Sequence, residues 1–444
     1  MNNSYLRYVT DASQIQLMLY YLVVAVSFIY LLYKYRKNSF QQYIILLFFG
    51  GLMKFISKFV FNIYHIIRTF FTLYWLNRSR GLTFNKNTFL VIIAFIFFSI
   101  IFFVSAYING DYFNIIFSQY SKYFIVFALF IILKKYSHDR QLYFMLSSVI
   151  YDILIVQVFL SLFKFIIFGV TESIVGSISE LGGAVATPLP ILSFIVLWII
   201  KNGKLNSKDW MLIFGFIFIG FVSDKRAIWF VLPIIMYLFF TYIPKKVPSL
   251  KAILVVLVLL PSIFYFGVRL SRTLNPEDVV WGSFDINYVY NYASNYMFGS
   301  EDRIFSTGLY YGRGGATQFL YNKLFNGDFT LNDFFGEGLR FIYTTSYEEF
   351  FELGYGIHSL GSANGAFQSY IANGFAGVIS FIIFSFFIIN NTKSNRLRNV
   401  LLLFFFWEYF FYTGILFRYP SLATLLIFII IFSPFDISNR PILE

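Results

Sequence analysis

The sequence predicts an all-α, polytopic integral membrane protein, and three observations support this fold class. Of the 444 residues, 58% are hydrophobic and only 13% are charged, about half the charged share of a soluble domain. Apolar runs close to the length of a membrane-crossing helix recur along the whole chain. Basic residues concentrate in the short links between these runs, which is typical of cytoplasmic loops.

The apolar runs define about thirteen candidate crossings, since a helix of about 20 residues covers the hydrocarbon core. In chain order they are 14–33, 43–60, 61–76, 88–108, 115–133, 142–164, 186–200, 210–223, 227–243, 251–268, 368–390, 399–417 and 420–434. The first run is followed by Lys34, Arg36 and Lys37, a stop-transfer pattern that favours a retained helix over a cleaved signal peptide.

Residues 43–76 leave two interpretations open. They form either two crossings or one crossing plus an interfacial helix, and the choice inverts the sidedness of the loops that follow. Lys54, Lys58, His65 and Arg68 make this region less lipid-like than its neighbours. No internal repeat is visible, so the inverted repeats of many secondary transporters are not indicated.

Charge and cysteine content exclude several function classes. The net charge of +12 resides in the links between apolar runs, so the positive-inside rule explains it and nucleic acid is not an expected partner. Cysteine is absent, which excludes disulfides, a thiol nucleophile and a cysteine-ligated metal.

One segment, 269–366, differs from the rest and is predicted to be a large extracytoplasmic loop. It holds eleven of the 22 acidic residues against six basic ones and is rich in Tyr, Asn, Gly and Phe. Such a composition is too aromatic for a disordered linker, and long ordered loops are usually functional. The predicted organisation is therefore N-terminal transmembrane helices (1–268), this loop (269–366) and C-terminal transmembrane helices (367–444).

The first candidate site is Asp224-Lys225-Arg226, three consecutive charges between two apolar runs. The preceding run is short for a crossing, so the charges are predicted to lie at or just below the outer membrane surface. Charges at that depth usually face a cavity or a partner. A simple interfacial hairpin, in which Asp224 neutralises Lys225, is the alternative.

The second candidate is the set of loop arginines, Arg303, Arg313 and Arg340. A guanidinium donates two parallel hydrogen bonds to phosphate oxygens and stays charged at every accessible pH. These side chains, with Lys225, therefore suit a diphosphate. The alternative is internal ion pairing with acidic residues of the same loop.

The third candidate is the set of loop acids. Glu337 lies between Gly336 and Gly338, and it could act as a general base or bind sugar hydroxyls, as could Glu348, Glu349 and Glu352. The alternative is that most of these carboxylates are merely solvated. There is no Asp-x-Asp pair and no spaced His/Glu metal motif, so we expect no metal and no cofactor, with activity unchanged in EDTA.

Aromatic residues of the loop have two interpretations. Tyrosine and tryptophan anchor helices at the membrane interface, and they also stack on sugar rings. The loop cluster of Tyr288, Tyr290, Tyr292 and Tyr296 is the better carbohydrate candidate.

Three blocks in chain order resemble the O-antigen ligase and O-antigen polymerase superfamily of bacterial membrane glycosyltransferases. The block at 223–226 (Ser-Asp-Lys-Arg) looks like the family's Ser-x-x-Arg. Residues 302–305 and 334–338 look like its loop arginine and a later Gly-x-Gly. Residues 363–377 look like its His-Asn-x9-Gly-x-x-Gly, with Gly374 and Gly377 as the two glycines. The likeness covers roughly residues 210–390.

At the family's histidine position this sequence has Ala363, and the nearest histidine is His358. Either His358 reaches the site through a different loop shape or the reaction does not use histidine. Polymerases of the superfamily diverge strongly, so this departure favours a polymerase over a ligase. Asn364 would set the entry of the next helix beside the substrate, and the glycines would allow close helix approach.

The resemblance implies a GT-C-like fold in a bacterial inner membrane, with an active site on the periplasmic face. The implied activity is polymerisation of polyprenyl-diphosphate-linked oligosaccharide repeats, with a flippase and a chain-length regulator as partners. In that reaction Arg226 and Arg303 would stabilise the diphosphate leaving group, and Glu337 or His358 would take the acceptor proton. The alternatives are an O-antigen ligase, which transfers finished glycan to lipid A core, and, from another class, a polysaccharide flippase.

Overall fold

The computed structural model describes residues 14–79, 86–169, 174–178, 183–223, 227–243, 261–262, 264–271, 274–279, 281–298, 313–327, 329–344 and 363–433. These residues form helices and turns, and none of them lies in a β-strand. The all-α prediction is therefore confirmed for this part of the chain.

Seventeen α-helices can be assigned within the described residues. They are α1 (Gln14–Lys34), α2 (Ser39–Phe48), α3 (Gly50–Ile56), α4 (Lys58–Arg78), α5 (Lys86–Ile108), α6 (Phe113–Lys135), α7 (Arg140–Phe168), α8 (Pro188–Ile200), α9 (Ser207–Val222), α10 (Ala227–Tyr237), α11 (Ile286–Phe298), α12 (Arg313–Asn326), α13 (Leu331–Phe335), α14 (Leu339–Thr344), α15 (Gly365–Ile389), α16 (Asn395–Phe411) and α17 (Pro420–Phe432). A 3-10 turn (Gly183–Ala186) precedes α8, and a π-helical turn (Leu238–Tyr242) follows α10.

Five of these helices, α1, α5, α6, α7 and α15, are long and apolar enough to cross a membrane. The pair α2 and α3 meets the same criterion together, with a bend of 65° between its members. The coarse prediction of a multi-pass membrane protein is thus confirmed. The predicted number of crossings is not reached within the described residues, because the remaining apolar helices are shorter and cover 184–200, 231–242 and 420–432.

The interpretation of 43–60 and 61–76 as separate crossings is wrong at the boundary. The chain bends at Phe49 and breaks at Ser57, and α4 then runs without interruption to Arg78. Ser57 begins α4 as its N-cap, since its hydroxyl accepts the backbone N–H of Val60 at 3.0 Å. Hydropathy does not change at Ser57, so the apolar pattern alone does not reveal this helix start.

Two further predicted crossings are corrected. The predicted crossing 399–417 is α16, which ends at Phe411, and Gly414 then takes a positive φ of 64°. The predicted crossing 420–434 is α17, whose residues are all buried. A helix of 13 residues is about 20 Å long, which is less than the hydrocarbon thickness. Being hydrophobic all round, α17 is an interior helix.

The chain divides into two compact units. The first unit comprises Met1–Arg80, Ala128–Phe284 and Pro420–Glu444, and the second comprises Gly81–Phe127 and Asp285–Tyr419. In the first unit α17 packs on α8, and the Phe428 ring stacks on Tyr143 of α7 at 6.1 Å. The division into an extracytoplasmic loop and flanking membrane segments stays a prediction, as does the GT-C-like type.

In the second unit the dominant packing is that of α15 along α5. Phe98 of α5 lies 5.9 Å from Phe381 and 6.0 Å from Phe384 between ring centroids. Large buried aromatic pairs of this kind carry much of the packing energy of a core. The segment predicted as a loop supplies α11 to α14 to the same unit, so its described part is helical.

Candidate functional site

The candidate site in the second unit is built on a break inside α15. Gly374 has φ 65° and ψ −168° in the middle of this helix, a conformation that is essentially restricted to glycine. A break leaves backbone carbonyls of the preceding turn without helical partners. Here Ile371 O accepts the backbone N–H of Glu337 at 2.8 Å, and Ala372 O accepts the Ser105 hydroxyl at 3.1 Å.

The segment that fills this break is the turn after α13. Gly336 has a φ of 80°, and a Cβ there would lie 2.6 Å from Gly374 N. A Cβ on Gly374 would in turn overlap the carbonyl of Phe334. Ser105 of α5 also contacts this turn, since its hydroxyl lies 2.6 Å from Phe335 O. We call this contact of Gly336 with Gly374, closed by Ser105, the glycine junction.

Asp333 anchors α13 beside the junction. It forms a capping box with Thr330, accepts the Tyr370 hydroxyl at 2.5 Å and lies 3.3 Å from Lys323 Nζ. Burial of the carboxylate opposes ionisation, but the hydrogen bonds from Tyr370, Thr330 and Lys323 outweigh it and lower the pKa of Asp333. Asp333 is therefore an ionised anchor between α13, α12 and α15.

Asp111, in the link between α5 and α6, anchors the first turn of α14. Its carboxylate accepts the backbone N–H groups of Leu339 at 2.9 Å and Arg340 at 2.5 Å. These are orphan donors of the first turn of α14, where a negative charge is favourable. Burial raises the pKa of Asp111, and these two hydrogen bonds oppose the rise.

Gly338, predicted to be structural, lies beside the same anchor. It has a φ of 90°, and a Cβ there would approach Asn109 Cβ to 2.6 Å. Glu337, the predicted base, therefore sits between two glycines that both require close approach. Its backbone is fixed by Ile371, while its side chain is only half-buried and so remains accessible at the edge of the junction.

Arg340, predicted to bind substrate, is exposed. Its guanidinium lies over the Tyr112 ring at 4.7 Å, a cation–π contact. Arg313, the first residue of α12, is held in a similar way over the Tyr412 ring at 4.8 Å. Both guanidiniums thus face an aromatic ring.

Asn364, predicted to bind substrate, has a structural role in its surroundings, and substrate binding stays a prediction. Asn364 is fully buried and caps α15 by accepting Phe367 N at 2.8 Å. Its amide donates to Arg313 O at 2.9 Å and to Thr317 Oγ1 at 2.7 Å. Its hydrogen-bonding groups are thus used inside the protein, and its role is to join α12 to the start of α15. Ala363, beside it, is also fully buried.

Replacing Asn364 with serine tests this structural role. Serine keeps an oxygen to cap the helix but loses the amide donors, so we expect a stability loss of about 1–2 kcal/mol. Thermal unfolding of the purified chain should show a lower midpoint, with activity per folded molecule retained. A normal midpoint combined with lost activity would instead return Asn364 to the substrate.

Arg418 and Glu408 belong to the same region, and the sequence reasoning missed them. The guanidinium of Arg418 donates to Gln368 Oε1 and, at 3.3 Å, to Ser369 Oγ. Glu408 is 1% exposed and accepts Ile415 N at 2.6 Å. They are the sole charged residues of the apolar stretch 399–434, a signal that marks functional or structural polar sites in membrane proteins.

The first two turns of α15 therefore contact two segments of the chain that each contain an arginine. Asn364 binds the backbone of Arg313, and Gln368, one turn later on the same helix face, binds Arg418. Burial raises the pKa of Glu408 to about 7, and the positive charge of Arg418 opposes this rise by favouring the carboxylate. This arrangement places cationic groups around the helix start that precedes the glycine junction.

Gly377 follows the break in α15, whereas Tyr288 and Tyr292, predicted to bind sugar, lie on α11. The nearest atoms to a Cβ on Gly377 belong to Asn373 of its own helix, so glycine relieves crowding after the break. Its predicted role in close approach between helices stays a prediction. Tyr288 and Tyr292 of α11 stack at 6.5 Å with an angle of 27° between their rings, and both are half-buried. They lie one turn apart on one helix face.

Several predicted residues lie outside the described residues: Lys225, Arg226, Arg303 and His358. Within the described ranges, no group of three His, Asp or Glu side chains is arranged to hold a metal ion. The site as described thus comprises the glycine junction, the anchors Asp333 and Asp111, and the arginines around the start of α15. No family model, no curated protein and no solved structure matches the chain.

Proposed function

We propose that the protein polymerises polyprenyl-diphosphate-linked oligosaccharide repeats on the outer face of the bacterial inner membrane. The observation that carries this proposal is the glycine junction. Gly336 and Gly374 come from two separate blocks that resemble the O-antigen polymerase and ligase superfamily, and they touch each other. Sequence blocks that share a function are expected to meet in space, whereas accidental matches have no reason to do so.

The proposed reaction needs no nucleotide, because the donor is already activated. A hydroxyl oxygen of the acceptor repeat attacks the anomeric carbon of the donor chain, and the bond from that carbon to the diphosphate oxygen breaks. The diphosphate oxygen keeps the electron pair of the broken bond, and the diphosphate leaves still attached to the polyprenyl carrier. The acceptor proton passes to a base. Arg226, Arg303 and Arg313 would stabilise the leaving charge, and Glu337 or His358 would accept the proton.

Position and accessibility make Glu337 the best-supported base among the described residues. Its backbone is fixed at the junction by Ile371, and its side chain remains half-buried. A base must be held in place and yet reach the acceptor hydroxyl. The stacked tyrosines of α11, Tyr288 and Tyr292, would offer a surface for sugar rings.

Deleting the gene separates this proposal from its alternatives. Loss of a polymerase leaves one repeat attached to the lipid A core, whereas loss of a ligase leaves none. Loss of a flippase leaves lipid-linked repeats on the cytoplasmic face. Electrophoresis of the surface glycan identifies the single-repeat product of polymerase loss. The sidedness of the lipid-linked repeat, probed with a membrane-impermeant lectin on intact and on lysed spheroplasts, separates loss of a ligase from loss of a flippase. A ladder unchanged by the deletion would exclude the proposal.

Arg303→Ala tests the leaving-group role. We expect the yield of long chains to fall by about 100-fold, the scale of losing one charge-stabilising group, while the protein still inserts. Arg303→Lys should recover part of this yield because it retains the charge without the planar fork. The control is Arg269→Ala, since Arg269 is already occupied by Gly282 O at 2.9 Å and by the Trp281 ring. Long chains persisting in Arg303→Ala would remove this residue from the mechanism.

A further inference from the structure

A second polar site lies in the first unit, where α1 ends and α2 begins. A cavity of about 280 Å³ opens there. It is lined by three cations, Lys34, Arg36 and Lys37, together with Asn38, Gln41 and two tyrosines. None of these residues belongs to the candidate functional site.

Lys34 and Arg36, two of the cations that line this cavity, have different partners. Lys34 Nζ lies 2.5 Å from Asp152 Oδ2, and the Tyr35 hydroxyl donates to the same oxygen at 2.5 Å. The Arg36 guanidinium lies over the Tyr33 ring at 4.2 Å. Asp152 thus offsets one of the three positive charges, and the rim keeps a positive excess.

The two amides of the cavity wall are fixed in place. Asn38 caps α2 by accepting the N–H groups of Phe40 and Gln41 at 3.0 and 3.2 Å. Gln41 donates to Met145 O of α7 at 2.8 Å. The end of α1, the link after it and the start of α2 therefore form the cavity wall, and α7 supports this wall through Asp152 and Met145.

The position along α1 sets the depth of this cavity. Ile15–Lys34 is a candidate membrane span, so Lys34 marks its polar end and the cavity lies at the level of lipid headgroups. Arg78 stacks on Tyr74 at 5.0 Å and on Trp75 at 5.7 Å. Trp75 touches Phe40 of α2 at 4.8 Å, so this interfacial pairing of cation and aromatic ring adjoins the cavity.

We propose that this cavity binds the phosphate of an anionic phospholipid headgroup, on the face that the charge pattern predicts to be cytoplasmic. Arg36 and Lys37 would contact the phosphate oxygens, with Lys34 contributing charge from its pair with Asp152. Tyr33 and Tyr35 would border the glycerol region, where amphipathic rings are favoured. A lipid rather than a soluble phosphate is favoured because the cavity lies at the end of a membrane span.

The test titrates the full-length protein, solubilised in an uncharged detergent, with phosphatidylglycerol and counts bound lipids by native mass spectrometry. Phosphatidylcholine serves as the zwitterionic reference, and inorganic phosphate as the soluble source. We expect saturable binding of phosphatidylglycerol that weakens as salt is raised. Arg36→Gln/Lys37→Gln should weaken it by about 30-fold, because each of the two cations contributes about 1 kcal/mol near the surface, converted to a change in affinity.

The matched control is Lys204→Gln/Lys208→Gln, which removes the same charge from two exposed residues of the first unit, one in the link before α9 and one in its first turn. We expect this pair to leave phosphatidylglycerol binding within about twofold, whereas diffuse surface charge predicts equal weakening by both pairs. Asp152→Asn should tighten binding, because it removes the anion that Lys34 faces. Equal weakening by both pairs, equal binding of phosphatidylcholine, or inorganic phosphate binding as tightly as the lipid would each overturn the proposal.

Discussion

Replacing Gly374 with alanine is expected to unfold the glycine junction and to abolish long-chain product. Two costs combine at this position. The backbone takes φ 65° and ψ −168°, which for a residue with a Cβ costs on the order of 1–3 kcal/mol. The added Cβ also overlaps the backbone of Phe334, and backbone cannot move aside as a flexible side chain can.

The expected total is on the order of 4 kcal/mol, from strain and overpacking together. Such a loss is large against the marginal stability of a folded domain. We expect the apparent unfolding midpoint of the purified chain to fall by about 5 °C or more. Size-exclusion chromatography after heating gives the midpoint, and electrophoresis of the glycan gives the product.

Gly110→Ala is the matched control, because it separates strain from overlap. Gly110 also has a positive φ, 62°, but no atom lies within 4 Å of a Cβ placed there. We expect it to cost about 1–2 kcal/mol and to leave long chains in place. Gly336→Ala should reproduce the defect of Gly374→Ala, since a Cβ on Gly336 meets the other side of the same contact.

The double substitution Gly336→Ala/Gly374→Ala sharpens this prediction. Both changes break one contact, so their effects should be less than additive. Equal midpoints for Gly374→Ala and Gly110→Ala would show that the overlap is relieved by a small shift, and the junction would lose its structural importance.

The sequence predicted much of this unit but not its decisive bend. Apolar runs placed α5 and α15 within a few residues of their observed bounds, because hydrophobicity over a long stretch specifies a buried or lipid-facing helix. The spacing of Gly374 and Gly377 predicts close packing, yet the apolar pattern does not predict a break at Gly374. The break is stabilised because the Glu337 N–H in the turn after Gly336 donates to Ile371 O, and the Ser105 hydroxyl donates to Ala372 O.

The anchors of the site were unpredictable for a related reason. Asp111 binds backbone groups more than 200 residues later, and Asp333 binds Tyr370. Nothing local in the sequence distinguishes these carboxylates from solvated ones. Asn364 was assigned to substrate because it stands in a motif, but the same position is a helix start, and a buried N-cap needs the same residue type.

Replacing Arg418 with alanine is expected to loosen the start of α15 and to lower the yield of long chains at least tenfold. Arg418 donates to Gln368 and Ser369 on the first two turns of this helix. Hydrogen bonds that involve a charged group contribute about 2 kcal/mol. Loss of the guanidinium also leaves the Glu408 carboxylate, 1% exposed, without the cation that acts favourably on it.

Arg398→Ala provides the matched control in the same unit. Arg398 likewise donates to an amide oxygen, that of Asn390, at 3.1 Å, but it is not a cation that acts on Glu408. We expect this variant to lower the unfolding free energy by about 2 kcal/mol at most, less than Arg418→Ala, because it loses one hydrogen bond from a charged group and leaves Glu408 unaffected. A loss equal to that of Arg418→Ala would show that the hydrogen bond alone, and not the buried charge, determines the effect.

Glu408→Gln completes a double-mutant cycle that isolates the charge. Glutamine keeps an oxygen for the Ile415 N–H but carries no charge. In this background Arg418→Ala therefore loses only its hydrogen bonds to α15, and no buried carboxylate is left without its cation. The two changes should therefore combine with a coupling of on the order of 1 kcal/mol, the double variant being more stable than additivity requires. Strict additivity would mean that Arg418 stabilises the start of α15 and does not interact with Glu408. Coupling without recovery of long chains would separate the stability of this site from its part in the reaction.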